Sequence, residues 1–298
     1  MSEYRGRFAP SPTGKLHFGS LVTAMASYAD AKSNNGSWSI RIDDIDSPRV
    51  VPDSAKQIIT KLERLGFQWD GPITWQSAYL NNYHQAIEQL EKNKQIYGCA
   101  CSRKEIKALS NSGIYPGTCR NGLKKGKTSR LKRLNTTDIN ISFIDQIQGY
   151  QDYSLASNAG DFIIYRADAI VAYQLAVVVD DFLAQVTHVV RGIDLLDSTP
   201  KQIFLQQLLQ YPTPNYAHIP LMVDKNNQKL GKKTQAPEVA DDMPTLLAAA
   251  KTLGQELQTD ISDATKEEFW QELIKNWQIS AIPKTPEISI LLPKLLLL

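Results

Sequence analysis

Two stretches far apart in the sequence carry residue types that bind phosphates. Residues 5–20 place two prolines and a glycine directly before a helical pattern that begins near His17, and residues 229–233 read Lys-Leu-Gly-Lys-Lys. Unpaired N–H groups at a helix N-terminus attract anions, the imidazole of His17 can donate to a phosphate oxygen, and Gly19 lets a nucleotide approach the backbone. The first stretch therefore predicts a nucleotide-binding site, whereas the lysine run, taken alone, also fits a solvated surface.

The elements around the first stretch must place it at the edge of a sheet. Residues 4–8 have the pattern of a strand, the prolines fix a rigid turn, and residues 17–32 show the apolar spacing of a helix. Residues 38–45 predict a second strand, and helical spacing recurs at residues 53–65 and 80–92. Two units of a strand followed by a helix favour an α/β fold built on a Rossmann-like doubly wound parallel sheet.

The composition changes near Tyr97 and changes back near residue 166, which predicts three regions. Residues 1–94 plus 166–236 form the main Rossmann-like domain, residues 95–165 an inserted small α/β subdomain, and residues 237–298 a short helical C-terminal region. Further helices are predicted at residues 173–179, 199–210, 244–253 and 266–277, and further strands at residues 187–191 and 217–223.

Composition excludes several classes of protein. The chain has 298 residues, 42% of them hydrophobic, and a net charge of +2, so any nucleic-acid surface must be local. Its apolar runs are too short and interrupted to span a bilayer, the N-terminus carries no apolar signal region, and three cysteines do not suit a disulfide framework. We therefore expect a cytoplasmic protein with no membrane partner, and an apolar tail, residues 288–298, that is packed or disordered.

Both phosphate-binding stretches resemble signatures of one enzyme family. Residues 7–14 (Arg-Phe-Ala-Pro-Ser-Pro-Thr-Gly) and 17–20 (His-Phe-Gly-Ser) are similar to the first signature of class I aminoacyl-tRNA synthetases, His-Ile-Gly-His, in the form used by the glutamyl and glutaminyl branch. Residues 229–233 resemble the second signature, Lys-Met-Ser-Lys-Ser, with Gly231 in place of Ser. The resemblance covers residues 4–235 and implies that the main domain is the class I catalytic domain.

This resemblance implies an activity as well. In the family, the carboxylate of an amino acid attacks the α-phosphate of ATP in the presence of Mg²⁺, and a lysine of the second signature stabilises the leaving pyrophosphate. Lys232 matches that lysine, so His17 and Lys232 are the implied catalytic residues. Ser20 stands where the signature has its second His and is a shorter donor. The implied ATP-binding residues are His17, Gly19, Ser20, Lys229 and Lys232.

The residue types expected around the amino acid suit a dicarboxylic substrate, L-glutamate. Planar guanidinium groups bind carboxylates bidentately and disfavour a neutral amide in the same place. Arg7 and Arg191 can each take one carboxylate; the sequence leaves open which, and we favour Arg191 for the side chain. Asp43 stands where the branch usually has a Glu that binds the substrate amino group. The implied glutamate-binding residues are Arg7, Ala9, Ser11, Asp43, Tyr173 and Arg191.

Cys99, Cys101 and Cys119 form a metal hypothesis. Three thiolates within about 20 residues favour Zn²⁺, but the spacing alone fits buried, unconnected cysteines equally well. One subgroup of the branch, the glutamyl-Q tRNA(Asp) synthetases, carries Cys-x-Cys, Tyr and Cys in this order. That resemblance implies Tyr115 as the fourth ligand, because a bound zinc ion lowers the pKa of a phenol.

Two local patterns accompany the cysteines. Ser102 and Glu105 have the spacing of a capping box, which predicts that a short helix starts there. The basic cluster of residues 124–133 contains six lysines and arginines, Lys124, Lys125, Lys127, Arg130, Lys132 and Arg133. A cluster of this density can contact phosphates, and a solvated basic loop is an equally good interpretation.

The resemblance to this truncated subgroup implies transfer of glutamate to the queuosine base in the anticodon of tRNA(Asp), which forms glutamyl-queuosine. About 65 residues follow the second signature, too few for the anticodon-binding domain of a full synthetase, so we expect no such domain. We expect a monomer that binds L-glutamate and queuosine-containing tRNA(Asp). Two alternatives stay open: a short glutamyl-tRNA synthetase that charges a tRNA 3′ end, and a non-catalytic nucleotide- or RNA-binding paralogue.

Overall fold

The computed structural model describes residues 3–110, 112–224, 227–230, 238–257 and 264–290. The N-terminal part forms the predicted units, with β1 Arg5–Phe8, α1 Phe18–Ser33, β2 Ser37–Ile42, α2 Ser54–Arg64, β3 Thr74–Trp75 and α3 Leu80–Lys92. Strands β1 and β2 pair in parallel, as do β2 and β3, which confirms the parallel sheet. Strand β2 ends at Ile42 rather than at residue 45, because the next N–H, that of Asp43, donates to the carbonyl of Pro10 in the rigid turn (3.0 Å).

Helix α1 packs closely on β1 and is buried along most of its length. Its alanines include Ala24, Ala26, Ala29 and Ala31, all with no exposed surface. In β1, a Cβ atom added at Gly6 would lie 3.2 Å from the Cβ of Ala31. Small residues on both elements therefore allow the short helix-to-strand distance that holds the start of α1 at the C-terminal end of β1.

The predicted inserted subdomain, residues 95–165, contributes strands to two sheets. Its elements are β4 Ile96–Cys99, α4 Arg103–Leu109, β5 Leu131–Leu134, β6 Asn140–Asp145, β7 Gly149–Ser154, α5 Leu155–Asn158 and β8 Ile163–Tyr165. Strands β4, β5 and β8 form an antiparallel sheet, and β6 and β7 form a separate antiparallel hairpin. Helix α4 begins with the capping box of Ser102 and Glu105, as predicted.

The chain then returns to the parallel arrangement with α6 Tyr173–Leu183, β9 His188–Gly192, α7 Thr199–Leu209, β10 Asn215–Ile219 and β11 Leu221–Val223. Strands β9 and β10 pair in parallel, and Tyr216 of β10 pairs with Asp145 of β6. The hairpin β6–β7 thus joins the sheet of the main domain, which the boundary at residue 165 did not anticipate. The predicted strand 217–223 is two strands, because Pro220 has no N–H to donate.

The two parallel sheets lie side by side. The N–H of Thr187 donates to the carbonyl of Arg5 at 3.0 Å, and the N–H of Arg5 donates to the Thr187 hydroxyl at 2.8 Å. Strands β2 and β3 therefore follow β1 on one side and β9 and β10 lie on its other side, so the order in which strands are added changes direction at the boundary between β1 and β9. In doubly wound sheets, the crevice at the C-terminal ends of the strands at this point binds ligands.

The C-terminal region is helical, as predicted, and contains α8 Met243–Thr252, α9 Lys266–Asn276 and one short strand, β12 Glu287–Ser289. Both helices contact α1, and β12 pairs in parallel with β11. The indole N–H of Trp270 donates to the carbonyl of Leu65 at 3.0 Å, and that of Trp277 donates to Asp30 at 3.0 Å. Within the described ranges, no helix is long and apolar enough to cross a membrane.

Candidate active site

A cavity of about 760 Å³ lies at the C-terminal ends of β1, β2 and β9. Its wall contains all six predicted glutamate-binding residues, Arg7, Ala9, Ser11, Asp43, Tyr173 and Arg191. The wall also contains four of the five predicted ATP-binding residues, His17, Gly19, Ser20 and Lys229. The fifth, Lys232, and its neighbour Gly231 lie outside the described residues. The fold therefore collects distant segments around one small-molecule-sized space.

The rigid turn places His17 at the entrance of α1. Gly14 has a φ of 144°, a left-handed conformation that favours glycine, and its N–H donates to the Ser54 hydroxyl at 2.9 Å. His17 is the N-cap of α1: its Nδ1 accepts from the backbone N–H of Ser20 at 3.2 Å, and the Ser20 hydroxyl lies 3.0 Å from its Nε2. The remaining N–H groups of this helix start are suited to bind an anion.

A buried ionic network lies beneath the cavity. Arg7 donates to both carboxylate oxygens of Asp181, with Nε–Oδ1 and Nη2–Oδ2 distances of 3.2 Å. Arg41 donates to Asp181 at 2.6 Å and, through Nε, to Asp43 at 2.7 Å. Arg7 is thus already held by a carboxylate of the protein, a partner that the sequence analysis missed. The adjacent acids Asp180 and Asp181 inside the apolar helix α6 were the available signal.

The carboxyl groups of this network differ in their ionisation. Burial raises the pKa of Asp181, but the Arg7 and Arg41 guanidinium groups outweigh it and hold that pKa below its usual value. Burial raises the pKa of Asp43 above its usual value, and the attraction to Arg41 offsets only part of this effect. Burial also raises the pKa of Asp180 to about 6. Near neutral pH, Asp181 is therefore the firmly charged partner of the two arginines.

Arg191 lies at the other side of the cavity and is held by several groups. Its Nε donates to Nε2 of His218 at 3.0 Å, and its Nη2 donates to the Thr199 hydroxyl at 2.7 Å. Its Nη1 lies 3.5 Å from the hydroxyl of Tyr173, the residue predicted to share its substrate. His218 and Thr199 were not found from the sequence, where nothing near either residue marks it as part of a site.

The lysine run begins at the cavity wall. Lys229 forms an ion pair with Asp194, which follows β9 and also lines the cavity. A Cβ atom added at Gly19 would lie 3.4 Å from the Leu230 carbonyl oxygen, so the start of the run approaches the start of α1. The two signature stretches are therefore neighbours in space, as the nucleotide-binding interpretation requires.

The predicted zinc ligands also come together. The sulfur atoms of Cys99, Cys101 and Cys119 all lie within 4.8 Å of one another, and the Cys101–Cys119 distance is 3.6 Å. The Tyr115 hydroxyl lies 3.4 Å from the Cys99 sulfur and 3.7 Å from that of Cys101. Tetrahedral zinc with Zn–S bonds of about 2.3 Å separates two sulfur ligands by roughly 3.8 Å, so the four groups fit the ion.

The basic cluster of residues 124–133 differs from the expectation of one phosphate-binding surface. Arg133 is buried, with its guanidinium 3.9 Å from the centre of the Tyr115 ring and its Nε donating to the Cys99 sulfur at 3.4 Å. Lys127 pairs with Glu105, and Lys132 pairs with Glu91. The exposed members Lys124, Lys125 and Arg130 remain as candidates for contact with RNA.

Comparison with known proteins agrees with this geometry. Residues 3–244 match the family model described as tRNA synthetases class I (E and Q), catalytic domain. A glutamyl-Q tRNA(Asp) synthetase from Aromatoleum aromaticum is 48% identical over 94% of this chain and 91% of its own length. One from Dechloromonas aromatica is 44% identical over 98% of this chain and 99% of its own length.

A solved structure has the same fold. The glutamate-tRNA synthetase from Elizabethkingia anophelis superposes with a TM-score of 0.80 at 24% identity, over 97% of this chain and 68% of that one. This similarity shows that the two proteins share a fold. The chain therefore belongs to the glutamyl-Q tRNA(Asp) synthetase family of class I tRNA synthetases and is a ligase.

Proposed function

We propose that the chain activates L-glutamate with ATP and Mg²⁺ and transfers the glutamyl group to the queuosine base in the anticodon of tRNA(Asp). The observation that carries the proposal is the cavity between β1 and β9, with the Arg191 guanidinium in one wall and the start of α1 in another. The names of the relatives from Aromatoleum aromaticum and Dechloromonas aromatica support the choice of acceptor.

The first step is formation of glutamyl-adenylate. An oxygen of the glutamate α-carboxylate forms a bond to the α-phosphorus of ATP, and the bond from that phosphorus to the pyrophosphate oxygen breaks. His17 and the N–H groups of α1 bind phosphate oxygens, and Lys229 and Lys232 balance the charge that develops on pyrophosphate. Mg²⁺ would enter on the phosphates of ATP, because it keeps most of its waters and prefers phosphate oxygens.

Glutamate is selected by charged side chains of the cavity wall, which bind its two carboxylates and its amino group. Arg191 and Tyr173 bind the side-chain carboxylate, and a neutral amide in that position would set its N–H₂ donor against guanidinium donors. Arg7, oriented by Asp181, takes the α-carboxylate, and Asp43 takes the substrate amino group. Ala9 and Ser11 complete the glutamate pocket.

The second step is transfer to RNA. A hydroxyl of the queuosine cyclopentenediol attacks the carbonyl carbon of glutamyl-adenylate and an ester bond forms. AMP leaves with the electron pair of the broken acyl–phosphate bond, and its phosphate accepts the proton that the hydroxyl loses. Zinc held by Cys99, Cys101, Tyr115 and Cys119 would be structural, since four protein ligands leave no open position. The strands that carry this metal site lie in the inserted segment, residues 95–165, which we propose to be the RNA-contacting region.

The activation step is tested by ATP–pyrophosphate exchange without tRNA. We expect exchange that depends on glutamate and is much weaker with glutamine or aspartate. Lys232→Ala should lower the maximal exchange rate by at least tenfold with a smaller change in KM, since the lysine acts on charge in the transition state. Lys251→Ala, a change of an exposed lysine on α8, is the matched control. No exchange with any amino acid would favour the non-catalytic paralogue.

A further inference from the structure

Behind the cavity lies a buried series of three side chains, Asp145, His218 and Arg191, of which at most 4% is exposed. Oδ2 of Asp145 lies 2.6 Å from Nδ1 of His218, and Nε of Arg191 donates to Nε2 of His218 at 3.0 Å. In the register of β9 and β10, Arg191 stands directly opposite His218. Only Arg191 reaches the cavity, so the other two act from behind it.

The surroundings of Asp145 determine which imidazole nitrogen carries the proton. Its Oδ1 accepts three backbone N–H groups, those of Ile147 at 3.0 Å, Gln148 at 2.8 Å and His218 at 3.1 Å. The other oxygen, Oδ2, is therefore the one that accepts from the imidazole. A neutral His218 with its proton on Nδ1 satisfies Oδ2 and leaves the lone pair of Nε2 for the N–H of Arg191.

The other groups around the imidazole agree with this neutral form. Burial lowers the pKa of His218, and the positive charge of Arg191 acts in the same direction against the attraction of Asp145. Thr199 places its hydroxyl 3.1 Å from Nε2, and Tyr216 stacks on the ring. Asp194, after β9, adds a more distant negative charge.

The contacts of Arg191 fix the orientation of its guanidinium group. His218 holds Nε and Thr199 holds Nη2, so the guanidinium plane is set on two sides, and Nη1 is directed to Tyr173 and the cavity. We propose that Asp145 and His218 are positioning residues that orient Arg191 toward the side-chain carboxylate of glutamate and thereby set the selection against glutamine. This inference rests on the proposed function.

Asp145→Asn tests the series without changing its shape. The three backbone donors keep the asparagine oxygen at the position of Oδ1, so its N–H₂ group must face His218. Nδ1 then becomes the acceptor and Nε2 carries the proton, which sets two donors, Nε2–H and the Arg191 Nε–H, against each other. We expect KM for glutamate in ATP–pyrophosphate exchange to rise by about 10–100-fold and the preference for glutamate over glutamine to fall by at least tenfold.

The KM for ATP should change less than about twofold, because the start of α1 is untouched. Asp152→Asn, the same change at an exposed position of the same hairpin, is the matched control and should behave as the wild type. An Asp145→Asn variant with wild-type KM and preference would overturn the inference. A wild type that fails to activate glutamate would instead overturn the proposed function, and this inference with it.

A second substitution separates orientation from general loss of structure. His218→Gln can turn its carbonyl oxygen toward the Arg191 Nε–H and, unlike the imidazole, needs no change of tautomer to do so. The double variant Asp145→Asn/His218→Gln should therefore recover glutamate preference relative to Asp145→Asn alone. A glutamate preference in the double variant that is equal to or lower than that of Asp145→Asn alone would contradict the inference. If Asp145→Asn does not fold, His218→Gln and His218→Leu decide: the proposal requires that only the glutamine variant keeps the preference.

Discussion

Charged side chains of the cavity wall on both sides of the β1–β9 crevice are held by buried partners. Asp181 fixes Arg7, Arg41 fixes Asp43, and His218 fixes Arg191. These contacts hold each of the three side chains in one orientation, and the Arg7–Asp181 and Arg41–Asp43 pairs also offset part of the cost of burying their charges. The departure from Glu at position 43 fits this arrangement, because the shorter carboxylate is held by Arg41 at 2.7 Å.

The four-ligand zinc assignment gives a test at the scale of one hydroxyl. Tyr115→Phe removes the fourth ligand, so zinc should leave the variant at least tenfold faster than the wild type when a chelator is added, and Cys101→Ser should purify without stoichiometric zinc. Tyr97→Phe is the matched control, since that hydroxyl donates to Asp161 rather than facing the sulfur atoms. Metal analysis during chelator challenge measures both.

Two outcomes would contradict the assignment. A metal-free wild type that is fully folded would refute the zinc site, and Tyr115→Phe with wild-type zinc retention would remove Tyr115 from the ligand set.

Arg133 lies beside the proposed zinc ligands: its guanidinium packs over the Tyr115 ring and donates to Cys99. A positive charge in that position would offset part of the negative charge that three thiolates and a phenolate would bring to a bound zinc ion.

At the residue scale, residues that line the cavity could be predicted from the sequence, whereas the buried residues that hold them in place could not. His17, Tyr173 and Arg191 stand in recognisable local patterns, and the cavity collects them. His218 has no such pattern, and the only signal for Asp181 was its position beside Asp180 in an apolar helix; each acts through a contact with a residue distant in the sequence. Such contacts depend on how strands and helices are placed relative to one another, which local spacing does not specify.

At the scale of elements, the register of β9 and β10 places Arg191 directly opposite His218 and so allows their hydrogen bond to form. Helix positions were predictable because apolar spacing and caps are local; α3 begins and ends at the predicted residues. The pairing of strands was less predictable from the sequence. The sequence indicated neither that β6 would join β10 nor that β11 would pair with β12, because both pairings join distant segments.

The attachment of the C-terminal region to the main domain is tested at one tryptophan. Trp270 on α9 is 4% exposed and contacts the rings of Tyr28 and Phe67. Trp270→Ala should lower the free energy of unfolding by about 3–5 kcal/mol, whereas Trp75→Ala, at a residue 39% exposed, should change it by less than about 1 kcal/mol. Urea unfolding measures both. Equal effects would show that α9 does not pack as the structure has it.

At the scale of the whole molecule, the net charge of +2 means that the proposed binding of RNA must rely on a local basic surface. Lys124, Lys125 and Arg130 are exposed in the inserted segment, which also contains the three cysteines. Replacing all three by Glu should weaken transfer to tRNA and lower its salt dependence, by roughly 0.7–0.9 in the log–log slope for each lost phosphate contact. Glutamate-dependent pyrophosphate exchange should not change.

The control for this triple variant is charge reversal elsewhere. Lys251 and Lys275 are exposed on the C-terminal helices, and Lys251→Glu/Lys275→Glu reverses two positive charges outside the inserted segment, against three reversed within it by the triple variant. The two variants should separate clearly in tRNA transfer at equal ionic strength. Loss of transfer in both would indicate an effect of overall charge and would remove the cluster as the RNA surface.

Transfer of labelled glutamate distinguishes the proposed acceptor, queuosine, from a tRNA 3′ end. Two preparations of tRNA(Asp), identical except for queuosine, are incubated with the protein, ATP and labelled glutamate, and half of each is then trimmed at the 3′ terminus. We expect label only on the queuosine-containing tRNA, retained after trimming and recovered in a nucleoside with the mass of glutamyl-queuosine. Label on both preparations, or label lost on trimming, would contradict this expectation and favour a short glutamyl-tRNA synthetase.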